Sequence, residues 1–98
     1  MPLVKISDYI VERLASAGIA DAFMVTGGGA MHLNDSFGKN PNINCISFHH
    51  EQSCALAADS YFRLTNRLPV VNVTTGPGST NAITGVWGAW VDSIGMIV

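Results

Sequence analysis

Two stretches of the chain each join a short apolar run to a glycine turn: AFMVTGGG at residues 22–29 and PVVNVTTGPGS at residues 69–79. A third run, Ile43 to Phe48, lies between them and is followed by the polar residues HHE at 49–51. Short apolar runs that end in turn residues are typical of strands buried on both faces of a sheet. The sequence therefore predicts three buried strands, each with a turn or polar residues at its carboxyl end.

Helical patterns surround these strands. The predicted order is a helix from Ser7 to Ala17, a strand at Ala22–Val25, a helix at Ala30–Phe37, a strand at Ile43–Phe48, a helix at Glu51–Leu64, a strand at Pro69–Thr74 and a helix at Thr80–Val91. Ser7 is expected to cap the first helix. A fourth apolar run starts at residues Gly95 to Val98. Strands that alternate with helices over short connections predict an α/β fold with three layers, α/β/α, around a mostly parallel sheet.

Charge is scarce and unevenly distributed. Charged residues make up 12% of the 98 residues, against about 25% in a typical soluble domain. From Leu68 to Val98 the only charged residue is Asp92. Because a small domain normally covers its surface with charge, we expect this third of the chain to be covered by another part of an assembly. The last helix, which carries Trp87 and Trp90, is predicted to be either buried core or a subunit interface.

Composition also excludes several classes of function. The net charge is −2 and no cluster of Lys or Arg is present, which argues against a nucleic-acid partner. No apolar run approaches the roughly 18 residues of a membrane span, and the first residues lack a signal-peptide core. We therefore expect a cytoplasmic protein without a membrane partner. Cys45 and Cys54 stand in apolar surroundings, which is typical of free buried thiols.

The carboxyl ends of the strands are the predicted place for a ligand, because open parallel sheets bind ligands there. Three polar or glycine-rich segments mark these ends: residues 26–29, 49–51 and 74–81. Glu51 is the most informative residue, since it opens a helix of Ala, Cys and Leu. Its carboxylate either offsets the helix dipole or is desolvated, with a raised pKa that suits an acid sharing a proton near neutral pH.

Other kinds of site fit less well. Gly27 and Gly29 supply two glycines of a dinucleotide-binding turn, but His32 stands at the third position. Glu51 would then bind a ribose, so an NAD-binding module is one alternative. A non-catalytic module that keeps the fold for assembly is another. The adjacent His49 and His50 point in different directions on a strand end, which disfavours a shared metal, and no metal-binding residues are predicted.

Taken together, the strand ends resemble the N-terminal pyrimidine-binding domain of thiamine-diphosphate-dependent enzymes, and within that family the acetolactate synthase-like branch. The resemblance runs from Lys5 to Val98 and rests on ordered motifs: the glycine turn within residues 23–31, HEQ at 50–52 followed by AADSYFR at 57–63, TTGPGSTN at 74–81 and DSI at 92–94. One family accounts for Glu51 and both turns at once, so the resemblance displaces the NAD alternative.

The resemblance implies a mechanism centred on Glu51. In the family, the matching glutamate shares a proton with the aminopyrimidine of thiamine diphosphate and so favours formation of the ylide. The ylide attacks a 2-keto acid such as pyruvate, carbon dioxide leaves, and the product is protonated or joined to a second carbonyl compound. Glu51 is thus the expected catalytic residue. The expected cofactor-binding residues are Val25, Thr26, Gly27, Glu51, Thr74, Pro77 and Asn81.

The resemblance also implies parts that residues 1–98 do not contain. In the family, a separate C-terminal domain of a partner subunit binds the diphosphate with Mg²⁺, and the active site forms between subunits of a homodimer or homotetramer. We therefore expect the chain to be the N-terminal part of a pyrimidine-binding domain, incomplete at its C-terminus and inactive alone. Thr26 and Gly95 stand where the synthase branch commonly has proline, which leaves the particular reaction open.

Overall fold

The computed structural model describes residues 2–98, and over this range it has four α-helices and three strands in the predicted alternation. The elements are α1 (Ile6–Ser16), β1 (Asp21–Met24), a 3₁₀ turn (Gly28–Ala30), α2 (Met31–Lys39), β2 (Asn44–Ser47), α3 (Glu51–Thr65), β3 (Val70–Asn72) and α4 (Pro77–Val91). None of the helices in the described range is long and apolar enough to cross a membrane.

The sheet is parallel and has the strand order β2-β1-β3. The central strand pairs on both sides, with Phe23 opposite Ile46 in β2 and opposite Val71 in β3. Ile97 forms an isolated parallel bridge with Val70, and its backbone N–H donates to the carbonyl oxygen of Pro69 at 3.0 Å. The predicted fourth apolar run therefore lies along the free edge of β3.

Alternate residues of each strand face opposite sides of the sheet, which places helices on both faces. On one face, a buried cluster joins α1 and α2 to the sheet through Val11, Phe37, Ala22, Met24 and Val70. On the other face, Phe23 and Val71 pack against Cys54 and Ala58 of α3. The predicted three-layer α/β/α arrangement around a parallel sheet is confirmed.

Helix α4 packs on α3 by its small residues. Ala82, Gly85 and Ala89 are buried, and a Cβ at Gly85 would overlap the Cβ of Ala55 on α3. The large side chains lie on the opposite side, where Trp87 and Trp90 are 63% and 75% exposed. Burial in the core of this chain is thus wrong for the two tryptophans, and contact with another surface is the remaining alternative.

Two predicted helix starts are wrong. Helix α1 begins after Lys5 without a side-chain cap, and Ser7 instead lies buried in the first turn, where its hydroxyl accepts a hydrogen bond from Ser36 at 2.9 Å. Helix α4 begins at Pro77, three residues before the predicted start. Proline lacks an N–H and suits the first helical turn. The turn before the helix is made by Gly76, whose φ of 67° lies in the left-handed region.

The α3–α4 contact can be tested with two glycines of the same helix. Gly85→Ala should lower the free energy of unfolding by about 1–3 kcal/mol, because the added methyl group must displace Ala55. Gly88→Ala is the matched control, since a Cβ there meets no atom within 4 Å and helix propensity should add about 0.5–1 kcal/mol. Urea unfolding measures both. Equal midpoints for the two variants would contradict the close contact.

Candidate functional site

The starts of α3 and α4 meet beside the carboxyl end of β3 and form an open cleft of about 580 Å³. It is lined by Glu51, Thr74, Pro77, Gly78, Thr80 and Asn81. Four of the seven residues predicted to form a site therefore come together here: Glu51, Thr74, Pro77 and Asn81. The cleft lies at the edge of the sheet where parallel strands end, as expected for this type of fold.

The other three predicted residues, Val25, Thr26 and Gly27, do not line the cleft, and of these Gly27 packs against Thr74. The backbone N–H of Gly29 donates to the Thr74 hydroxyl at 3.0 Å. A Cβ at Gly27 would lie 2.5 Å from the Cβ of Thr74, closer than two such atoms can approach. The first glycine turn thus packs directly against the residue that forms one wall of the cleft.

Gly78 and Thr80 line the cleft although sequence reasoning did not single them out. The sequence offered a signal for Gly78, because it is the second glycine of the Gly76-Pro77-Gly78 turn. A Cβ at this position would lie 2.7 Å from the Cγ2 of Thr74 and 3.6 Å from Oε1 of Glu51. Glycine is therefore required here for α4 to start so close to the end of β3.

The Glu51 carboxylate is hydrogen-bonded at the rim of the cleft. The side-chain amide of Asn81 donates to its Oε2 at 2.9 Å. This hydrogen bond, and then one from the backbone N–H of Glu51, lower the pKa of the carboxyl, and together they outweigh the opposing effect of burial. Of the two alternatives for Glu51, the structure does not favour desolvation with a raised pKa, because the side chain is only half-buried and hydrogen-bond donors reach the carboxylate.

His50 contributes to the same cluster. Its Nε2 lies 3.3 Å from Nδ2 of Asn81, which is within reach of the second amide hydrogen. Nε2 accepts that hydrogen when the imidazole is neutral and its proton is on Nδ1. Nowhere in residues 2–98 do three His, Cys, Asp or Glu side chains gather in a way that could hold a metal ion.

A pair of amides lies beneath the first glycine turn. Asn72, which is 7% exposed, donates from Nδ2 to Oδ1 of Asn34 at 2.6 Å. Asn34 donates in turn to the carbonyl oxygen of Gly27 at 3.4 Å. Neither residue was predicted from the sequence, although an Asn inside the apolar run VVNV was a visible signal. The pair connects β3, α2 and the turn that borders Thr74.

Tyr61, Arg63 and the two cysteines lie outside the cleft lining. The Tyr61 hydroxyl donates to Asp21 at 2.7 Å, and Arg63 forms ion pairs with Asp59 and Asp92. Both cysteines are free, as predicted, but only Cys54 is buried and Cys45 is half-buried. Burial raises the pKa of the Cys54 thiol to about 11, so this thiol is protonated and inert at neutral pH.

The amide pair can be tested by a double-mutant cycle. Asn72→Leu should lower the free energy of unfolding by about 1–3 kcal/mol, because Oδ1 of Asn34 loses its donor. Adding Asn34→Leu should cost less than the sum of the two single changes, because no polar atom of the pair is then left without its partner. Urea unfolding of the four proteins measures the coupling. Additive effects would contradict a direct hydrogen bond.

Comparison with known proteins identifies the family. The family model described as thiamine pyrophosphate enzyme, N-terminal TPP binding domain, matches residues 4–98. The acetolactate synthase large subunit of Buchnera aphidicola (subsp. Schizaphis graminum) is 37% identical over 98 residues, which are 100% of this chain and 17% of that protein.

Two further relatives carry related names. Acetolactate synthase 1, chloroplastic, from Oryza sativa is 37% identical over 95% of this chain and 14% of its own length. The acetolactate synthase isozyme 3 large subunit of Escherichia coli is 35% identical over 100% of this chain and 17% of its own length. The chain thus spans about one sixth of the length of these relatives. It belongs to the family of N-terminal TPP-binding domains of thiamine pyrophosphate enzymes.

Proposed function

We propose that the chain is the pyrimidine-binding part of a thiamine-diphosphate enzyme that decarboxylates a 2-keto acid such as pyruvate, with carboligation as in an acetolactate synthase. The observation that carries the proposal is Glu51 at the rim of a cleft between two helix starts, hydrogen-bonded by Asn81. The relatives' names and the match of residues 4–98 support the reaction class. Glu51 is the proposed catalytic residue.

The residues of the cleft fit the pyrimidine end of the cofactor. A heteroaromatic ring with a protonated nitrogen needs a carboxylate acceptor, and Glu51 provides one whose lowered pKa keeps it ionised at neutral pH. Such a ring also needs a wall without bulky side chains, which Gly78 and Pro77 offer. We propose that Thr74 and Asn81 complete this wall, with Val25, Thr26 and Gly27 on the other side of Thr74.

The chain's own contribution to the mechanism is to hold a proton. Bound thiamine diphosphate supplies the carbon that adds to the 2-keto group and accepts the electron pair left when carbon dioxide departs. Glu51, as a carboxylate, stabilises a proton on the ring nitrogen facing it, and it takes up or returns that proton as the charge on the ring changes. Because the hydrogen bond from Asn81 holds the carboxylate in one orientation, the side chain of Glu51 is already positioned when the ring binds.

The same residues do not fit a diphosphate or Mg²⁺. The cleft lining contains no Lys or Arg, and the described part of the chain has no cluster of acidic or histidine side chains for a cation. We propose that another domain, contributed by a partner subunit of a homodimer or homotetramer, holds the diphosphate and Mg²⁺. The exposed apolar face of α4, with Trp87 and Trp90, supports a subunit contact.

The proposal keeps the cytoplasmic location expected from the sequence. It also keeps the expectation of no nucleic-acid partner, which the net charge of −2 supports. A dinucleotide-binding module with Glu51 on a ribose is not favoured, because one family covers Glu51 and both glycine turns.

The role of Glu51 predicts the rate of C2 proton exchange in bound thiamine diphosphate. In the assembled enzyme that carries this chain, Glu51→Gln should slow C2 proton exchange by a factor of about 10²–10⁴, which is the usual contribution of a positioned acid or base. Glu12→Gln is the matched control, since Glu12 lies on α1 and does not line the cleft. Proton NMR after transfer to D₂O measures the rate. Unchanged exchange in Glu51→Gln would refute the assigned role.

The need for a second domain predicts weak binding by the 98-residue chain. Isothermal titration with thiamine diphosphate and Mg²⁺ should detect no micromolar affinity, because the cleft offers only a pyrimidine subsite. Micromolar binding would show that these residues suffice to hold the whole cofactor and would contradict the proposed division of labour.

A further inference from the structure

Asn81 and Glu51 are brought together by the packing of their two helices. Glu51 is the first residue of α3, and Ala55 lies one turn further along the same face. Asn81 lies in the first turns of α4, and Gly85 follows it by the same spacing. A Cβ at Gly85 would overlap Ala55. The helices thus touch one turn away from the site, and this contact fixes the distance between Asn81 and Glu51.

The two hydrogens of the Asn81 amide have two acceptors. One is Oε2 of Glu51 at 2.9 Å, and the other is Nε2 of His50 at 3.3 Å when the proton of the neutral imidazole is on Nδ1. The second carboxylate oxygen, Oε1, lies on the side of Gly78, where a Cβ would be 3.6 Å away. The amide therefore makes the two oxygens of Glu51 inequivalent: Oε2 is held by the protein, and Oε1 is turned toward a residue that lines the cleft.

We propose that Asn81 is a positioning residue, whose amide fixes Oε2 of Glu51 and so presents Oε1 as the oxygen that exchanges a proton with the ligand. This role is additional to lining the cleft, which was the expectation for Asn81 and remains part of the proposed function. The inference rests on the proposed function only in that it identifies the ligand's proton partner as Glu51. The hydrogen bond itself exists without any ligand.

Few charged groups surround Glu51, so the effect of Asn81 on the pKa of Glu51 can be measured separately from theirs. Helix α4 has no charged residue between Pro77 and Val91. The titratable groups around the carboxylate are His50 beside it and the Cys54 thiol one turn along α3. The hydrogen bond from Asn81 is the largest cause of the lowered pKa of Glu51, ahead of the backbone hydrogen bond and of His50. Loss of this donor should therefore raise the pKa of Glu51.

The test is a ¹³C NMR titration of the Glu51 side-chain carboxyl in the cofactor-free chain. Asn81→Leu keeps the approximate size of the side chain and removes the donor, so the titration midpoint should move upward. Asn81→Gln keeps the amide and should return the midpoint toward that of the unchanged protein. Thr84→Val is the matched control, because Thr84 is exposed on the same helix and lies outside the cleft lining. An unmoved midpoint in Asn81→Leu would overturn the proposal.

A purely structural role for Asn81 would give a different pattern. It would lower the unfolding midpoint of Asn81→Leu and leave the pKa of Glu51 in the folded protein in place. If Asn81→Leu does not fold, Asn81→Ala tests the same point: it removes the donor without adding a charge, so the Glu51 midpoint should rise. A midpoint that stays in place in Asn81→Ala would also overturn the proposal.

The assembled enzyme offers a second readout. With thiamine diphosphate bound, the pH at which C2 exchange changes rate should move in Asn81→Leu in the same direction as the NMR midpoint, and Thr84→Val should leave it in place. A shift in the opposite direction would count against the positioning role. Failure of Glu51→Gln to slow exchange would refute the proposed function alone, because the titration of the cofactor-free chain does not depend on it.

Discussion

The cleft depends on the contact between Ala55 and Gly85. Two helices can approach this closely only where one of them has no side chain, and a Cβ at Gly85 would overlap that of Ala55. The contact aligns the starts of α3 and α4 at the edge of the sheet, so that Glu51, Asn81 and Gly78 share one cleft. Each of these residues is held by a helix, and precise placement is what proton exchange with a ligand requires.

The ionisation of Glu51 illustrates how two opposing effects are decided by local geometry. The apolar helix that Glu51 opens left desolvation with a raised pKa as one of two alternatives, whereas the structure has a half-exposed carboxylate that accepts a hydrogen bond at 2.9 Å. Hydrogen bonds to the charged form then prevail, and the pKa falls. The consequence is chemical: an ionised Glu51 attracts a protonated ring nitrogen, whereas a neutral one would have to donate its own proton.

The sequence predicted the features that depend on neighbouring residues, which are the strands and the turns at their ends. Apolar runs that end in glycine turns or polar residues placed the strands, and the order of motifs placed Glu51 and Asn81 at strand ends that the structure brings together. The Asn34–Asn72 pair and the Asn81–Glu51 hydrogen bond join residues that are 38 and 30 positions apart, so no local pattern could predict them. Ser7 failed as a cap for the same reason, because its hydroxyl is occupied by Ser36 from α2 rather than by its own helix.

The scarcity of charge after Leu68 has its physical explanation in the two faces of α4. The side that packs on α3 uses small residues, Ala82, Gly85 and Ala89, because only these permit the close approach. The large apolar residues are thereby displaced to the other side, where Trp87 and Trp90 remain exposed. Aromatic side chains of this size each bury about 150–250 Å² when they are covered, so the two tryptophans together expose a large apolar area. The close packing of α4 on α3, on which the cleft depends, thus also leaves an exposed apolar surface on the other side of α4. In the assembly that we propose, a second subunit would cover the tryptophan side of α4 while the opposite side holds the cleft together.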